Sequence, residues 1–265
     1  VVVEAFDYLH RHYLDEIVAE MMAHDAGWEF VTFLNYTLGN FPDESWTGGV
    51  FTPEERKRML DFSFKHWKLH APYLKGYLAL TLKRAGRAKD ADLVWASVMD
   101  SAKTTEDGGT SWAPEDRGWL WYNDTIETHA FALRTLMELE PADKRSEGLV
   151  QWLFLNKKLN HWKSTRATSE VLYSVAWYLN KTAALGARET VTAETCGQKT
   201  TFTFEPDKYT GKKNQMVVPG AKLGPECAAV KVAKGGKGLA FAGATWHFST
   251  DRMPEKGDGD LFAVE

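Results

Sequence analysis

One segment, residues 107–124, DGGTSWAPEDRGWLWYND, gathers side chains suited to chemistry. It holds the carboxylates Asp107, Glu115, Asp116 and Asp124 beside Trp112, Trp119 and Trp121. Two carboxylates facing each other across a cleft are what glycoside hydrolysis needs: one donates a proton and the other attacks or activates water. Tryptophan rings offer broad amphipathic stacking faces, so the same segment also describes a glycan-binding groove. Trp112, Trp119, Trp121 and Asp124 are therefore the groove candidates. The competing reading is structural, with Asp107 in a turn, Glu115 and Asp116 on a solvated tip, and Asp124 capping the helix that follows.

Other chemistries find less support. His10 and His12 are two positions apart on a helical pattern and point to different faces. His66 and His70 are four apart and share a face, but no third ligand lies nearby, so they read as a surface pair. Cys196 and Cys227 fall in strand or turn patterns, away from any helix start that would activate a thiolate. They are either one bridge, if the protein is exported, or two separate thiols. Neither phosphate-binding glycine motif occurs, and AKGGKGLAF, residues 233–241, reads as a hairpin turn. The residues give no metal, cofactor or catalytic assignment.

The composition of the 265 residues is that of an ordinary globular protein, 44% hydrophobic and 26% charged. A net charge of −4 gives no reason to expect nucleic acid or an anionic membrane surface as partner. No apolar run reaches membrane-spanning length. The first residues, VVVEAFDYLHRHYLDEIVAEMMAH, lack the basic start of a signal peptide and read as an amphipathic helix already under way. The expectation is a piece of a longer protein, with any export signal upstream.

The pattern changes near Gly186. Before it, apolar residues recur every three or four positions, which predicts about eight helices joined by short connections. The first two stripes are Phe6, Leu9, Tyr13, Ile17 and Trp28, Val31, Leu34, Leu38. Thr52, Pro53 and Glu55 predict a capped helix start with the stripe Leu60, Phe64, Trp67, Ala71. Pro72 starts the next helix, Gly86 ends it, and a helix over 88–103 follows. Asp124 and Glu127 predict a cap for the stripe Ile126, Ala130, Leu133, Met137. Helices near 144–157 and 167–180 complete this half. After Gly186 short alternating runs predict about five antiparallel strands. The tail, DRMPEKGDGDLFAVE, reads as a linker. The fold class is mainly α plus a β part: helical hairpins in a solenoid or α/α toroid over 1–185, then a β-sheet domain over 186–265.

Residues 122–179, YNDTIETHAFALRTLMELEPADKRSEGLVQWLFLNKKLNHWKSTRATSEVLYSVAWYL, resemble the end of the thioester domain of the alpha-2-macroglobulin and complement family. Ile126-Glu127-Thr128-His129-Ala130-Phe131-Ala132-Leu133 stands where that family opens a helix with an ET-x-A-x-AL pattern. Val150-Gln151-Trp152-Leu153 fits the helix ending in WL. Trp162, Ser164, Thr165 and Thr168 fit the W-x-ST-x-x-T turn into the last helix. Residues 72–91 resemble the preceding helix pair, and the order agrees over roughly residues 26–180. The bacterial branch is the more similar.

The resemblance implies an incomplete α/α toroid, lacking its first helices, followed by part of a CUB-like β domain. It implies a non-catalytic fragment of a periplasmic or extracellular broad-spectrum protease trap, serving host defence or colonisation. Its partners would be the other domains of the parent chain and, in the full-length protein, trapped proteases. The family's thioester uses a C-G-E-Q sequence, which this chain lacks. TCGQK, residues 195–199, places Gln198 two residues from Cys196, one too few. Within residues 159–179, Ser164 or Thr165 is expected to cap the last helix, and Trp162 to fill the groove. Val171, Leu172, Val175 and Leu179 are expected to face the core. The alternatives are a toroidal carbohydrate-active enzyme using the acids of residues 107–124, and a helical scaffold with a Trp-lined groove.

Overall fold

The computed structural model describes residues 1–112, 124–158, 161–184, 186, 188–206, 214–236, 238, 240 and 242–247, with the side chains of Tyr13 and Asp15 outside that set. The protein is mainly helical with two small antiparallel sheets. It divides into two compact units, Val1–Thr182 and Ala183–Glu265.

In the first unit, α1 (Val2–Leu9) runs through a π-helical stretch (His10–Val18) into α2 (Ala19–Ala23). Then come α3 (Trp28–Gly39), the single turn α4 (Glu44–Thr47), α5 (Pro53–Lys65), α6 (Pro72–Arg84) and α7 (Ala88–Met99). A short hairpin, β1 (Lys103–Thr105) and β2 (Gly109–Ser111), precedes α8 (Thr125–Leu139), α9 (Arg145–Leu155) and α10 (Thr165–Lys181).

Local chemistry sets the helix ends. Thr52 Oγ1 accepts from the Glu55 N–H, while the Glu55 carboxylate accepts from the Thr52 N–H, a complete capping box over Pro53. α6 stops at Gly86, whose φ of +77° allows the Gly86 N–H to reach the Lys83 carbonyl and the Arg87 N–H to reach that of Leu82. Lys83 and Arg145 reach across to the carbonyl ends of α8 and α7, at Glu138 and Met99. Ser164 Oγ accepts from the Ala167 N–H at 3.0 Å and starts α10.

Helices α3, α6, α8 and α10 touch one another in that order, and α5, α7 and α9 pack on α3, α6 and α8. Apolar side chains from α6 to α10 form the largest core, with Leu82, Val94, Leu133, Leu149, Leu153 and Val171 out of reach of solvent. Phe6, Leu14, Val18, Val31, Leu38 and Met59 form a second cluster around α3 and α5.

Four expectations are corrected. The π-helical stretch holds more residues per turn than an α-helix, so the inward stripe slips by one position: Leu14 and Val18 are buried and Ile17 is exposed. α5 ends at Lys65, and Trp67–Leu69 forms a separate 3₁₀ turn rather than extending the stripe to Ala71. α7 ends at Met99 rather than near 103. On α10, Val171 and Val175 face the core as expected, but Leu172 is 59% exposed, because the free flank of the helix carries it.

In the second unit β3 (Glu189–Thr195) lies between β4 (Gln198–Phe204) and β5 (Lys231–Gly235), all antiparallel. Cys196 and Gly197, both left-handed with φ of +52° and +69°, make the two-residue hairpin turn between β3 and β4. A disulfide joins Cys196 to Cys227, with the Cα atoms 4.4 Å apart. Three strands form among the described residues where five were expected: 214–219 and 242–247 are irregular. The tail after residue 250 lies outside the described residues.

Candidate functional site

The site begins at the first turn of α8. Asp124 Oδ1 accepts from the N–H groups of Ile126 (2.9 Å) and Glu127 (3.1 Å), and Oδ2 pairs with Lys163 Nζ at 3.0 Å. Its lone pairs are thus committed to the helix start and to the turn before α10. Glu127 does not fold back to complete a capping box. It is buried and pairs with Arg166 Nη2 at 3.0 Å, joining the N-terminal ends of α8 and α10. Burial raises its pKa above the usual carboxylate range, against the pull of Arg166.

One turn on, His129 is fixed on three sides. Its Nδ1–H donates to the Thr125 carbonyl at 2.6 Å, which leaves Nε2 as the acceptor for the Trp112 N–H at 3.0 Å. Its ring stacks on Trp152. Desolvation lowers its pKa to about 4, so the ring is neutral at pH 7. A neutral imidazole with both nitrogens bonded has no lone pair left for a substrate or a metal.

Trp112 corrects the groove assignment. It is 7% exposed, sits in the main core, and its Nε1–H donates to the Val98 carbonyl at 2.8 Å. An enclosed ring cannot stack on a ligand. Trp119, Trp121, Glu115 and Asp116 lie outside the described residues. Asp107 is exposed in the β1–β2 turn. The structure brings together Trp112 and the start of α8, and it uses Asp124 as a cap.

Sequence reasoning missed a second constellation. Tyr36, Tyr73, Tyr77 and Phe131 gather where α3, α6 and α8 meet, with Tyr36 stacked 4.0 Å from Tyr77 and the Tyr77 hydroxyl donating to that of Tyr73 at 3.0 Å. Burial raises the pKa of Tyr36, Tyr73 and Tyr77. Arg134 lies over Phe131 and Tyr173 and pairs with Glu170, linking α8 to α10. The signal was present as aromatic residues at helical spacing on neighbouring helices, but aromatic stripes in a core look the same.

The histidine pair is also corrected. His66 and His70 are both buried, not on the surface. They serve different partners: His66 bonds Asp25 at 3.0 Å and stacks on Trp28, whereas His70 Nε2 bonds Thr32 Oγ1 at 2.9 Å. His70 is pushed down to about 4, first by burial and then by His66 and Lys75. Among the described residues no three His, Cys, Asp or Glu side chains gather as a metal site, and no helix is long and apolar enough to cross a membrane.

These groups share one chemical capacity. They tie helices to one another through bonded polar contacts, some enclosed and some half in solvent. Compared with known proteins, the chain matches no family model and no curated protein sequence.

Proposed function

We propose that this chain is a non-catalytic module of a bacterial alpha-2-macroglobulin-like protease trap. The helical unit would be the greater part of a thioester-domain-like α/α toroid, and the second unit part of a CUB-like β domain. The observation that carries this reading is the turn from α9 into α10. Three residues of the family-like W-x-ST-x-x-T pattern, Trp162, Ser164 and Thr168, are bonded within the turn or to α9. Trp162 Nε1–H donates to the Leu153 carbonyl (2.6 Å), the Trp162 N–H to Thr168 Oγ1 (3.0 Å), and Ser164 Oγ caps the helix. The side-by-side series α3, α6, α8, α10 with covering helices α5, α7, α9 is a stack of helical hairpins, the unit from which a toroid or an open solenoid is built.

On this reading the molecule works by enclosure. A protease cuts a bait segment in another part of the parent chain, the domains rearrange, and the protease is caged while its active centre stays intact. The present module supplies packing surface to neighbouring domains. The Cys196–Cys227 bridge supports a periplasmic or extracellular location, where disulfides persist. Neither sulfur is available for a thioester, so acylation chemistry, if the parent has it, comes from elsewhere.

The test uses the complete parent polypeptide. It is incubated with trypsin and passed over a size-exclusion column in native buffer. Trypsin that co-elutes with the cleaved parent and still reacts with a small active-site titrant supports enclosure. Trypsin that elutes alone after cutting the parent overturns it.

A further inference from the structure

The second unit has little apolar core: among its described residues only Val191 and Cys227 are buried hydrophobics. Its irregular segment, residues 214–230, is tied to the β3–β4 hairpin through two neighbouring connections. One is the Cys196–Cys227 bridge, and the other is the Thr195 hydroxyl, which reaches the carbonyls of Ala229 (3.0 Å) and Cys227 (3.5 Å). The two sulfurs have unlike surroundings. Cys196 sits half-buried at the hairpin tip, its Sγ 3.7 Å from the Thr195 hydroxyl, beside exposed Gly197, around which there is open space. Cys227 is enclosed, and its Sγ accepts from the Gly224 N–H at 3.3 Å, with the Lys222 carbonyl 3.7 Å away.

We propose that Cys196 is a thiol–disulfide exchange site, attacked by the thiolate of a dithiol reductant, and that the bridge is a releasable clasp on segment 214–230. Exchange needs an accessible sulfur to attack and a stabilised sulfur to leave. Cys196 offers the first and Cys227 the second. The incoming thiolate bonds to Cys196 Sγ as the Sγ–Sγ bond breaks. The electron pair departs on Cys227 Sγ, where the Gly224 N–H supports the thiolate until it takes a proton from water. The thiol can then donate to the Lys222 carbonyl, so the reduced side chain has a bonded place to stay. The reductant's second thiol resolves the mixed disulfide. It leaves Cys196 as a thiol and the reductant as a disulfide, with two electrons and two protons passed to the protein.

Two measurements on the 265-residue chain test this. In the first, the chain is exposed briefly to glutathione and quenched with iodoacetamide, and the peptides are analysed by mass spectrometry. Glutathione on Cys196 with alkylated Cys227 is expected in roughly tenfold excess over the reverse. Equal labelling, reversed labelling or no adduct overturns the exchange site. In the second, hydrogen exchange is followed before and after dithiothreitol and again after reoxidation. Reversible loss of protection in 214–230, about tenfold or more, with α3 to α10 unchanged is expected. Unchanged protection of 214–230 in the reduced chain overturns the clasp.

Discussion

His129 lies flat against Trp152, the ring centroids 3.7 Å apart and the planes 16° from parallel. The stack holds only a neutral imidazole, because Nε2 must accept from the Trp112 N–H. Protonating that nitrogen would break the bond and place a desolvated cation between α8, α9 and the β2 end.

That relationship predicts acid sensitivity. His129 and His70 both have folded-state pKa values of about 4, below the 6.5 of an unfolded chain. Between those values the unfolded chain takes up protons that the folded one refuses, so acid favours unfolding. The stabilisation is complete above pH 6.5 and is lost as pH falls toward 4. A fall from 6.5 to about 4 corresponds to about 3 kcal/mol for each histidine. Urea unfolding between pH 4 and 7 should show uptake of about two protons per molecule near pH 5. His129→Gln should remove one of them, and a flat profile in the wild-type chain would contradict the assignment.

Gly148 on α9 packs against Thr110 of β2 so closely that a Cβ there would overlap the Thr110 hydroxyl and lie 2.9 Å from its backbone nitrogen. The preceding residue of β2, Gly109, with φ +73°, approaches the same stretch of helix, where a Cβ would meet the Gly148 carbonyl. Gly148→Ala should therefore destabilise by about 2 kcal/mol despite its better helix propensity. Thermal melting decides between that outcome and the mild gain expected of an ordinary helical glycine.

Two substitutions at Asp124 separate its roles. Asp124→Asn keeps an oxygen for the Ile126 and Glu127 N–H groups and loses only the half-exposed contact to Lys163, a change of under about 1 kcal/mol. Asp124→Ala loses the cap as well and should cost about 1–2 kcal/mol. Equal losses for both variants would mean that the charge, not the cap, is what α8 needs.

At Glu127, removing the partner should hurt more than removing the charge. Arg166→Ala leaves a buried carboxylate unpaired and should cost about 1–2 kcal/mol, a value reduced because the Arg166 side chain is half in solvent. Glu127→Gln removes the desolvated charge and should stay within about 1 kcal/mol of the wild type. Chemical denaturation of both variants ranks them, and the opposite ranking would show that the ion pair is net stabilising.

Much of the helical unit was legible because its punctuation is local. Thr52-Pro53-Glu55, Pro72, Gly86, Asp124 and Ser164 each act on the backbone within a few residues, and each sits at the end it marks. What escaped depends on tertiary contact. The π-helical stretch puts Leu14 and Val18 into the cluster with Val31, Leu38 and Met59, and nothing in its own spacing announces it. His66 and His70 looked like a surface pair, but both rings are enclosed and each has a separate partner, exposed Asp25 for His66 and buried Thr32 for His70. Trp112 looked like a ligand platform because a tryptophan in a Gly-rich segment carries no mark of whether a core will close over it. The Cys196–Cys227 pairing was one of two readings, since two cysteines set no geometry until the hairpin turn and the 3₁₀ turn at Pro225–Ala228 bring them together.

Enclosure of proteases by the parent molecule would make inhibition depend on substrate size. The complete parent polypeptide is mixed with trypsin, and cleavage of a large protein and of a small chromogenic peptide is followed in parallel. With the protease enclosed, the large substrate is spared while the peptide is cut at close to the uninhibited rate. Equal cleavage of both, or equal inhibition of both, would contradict it.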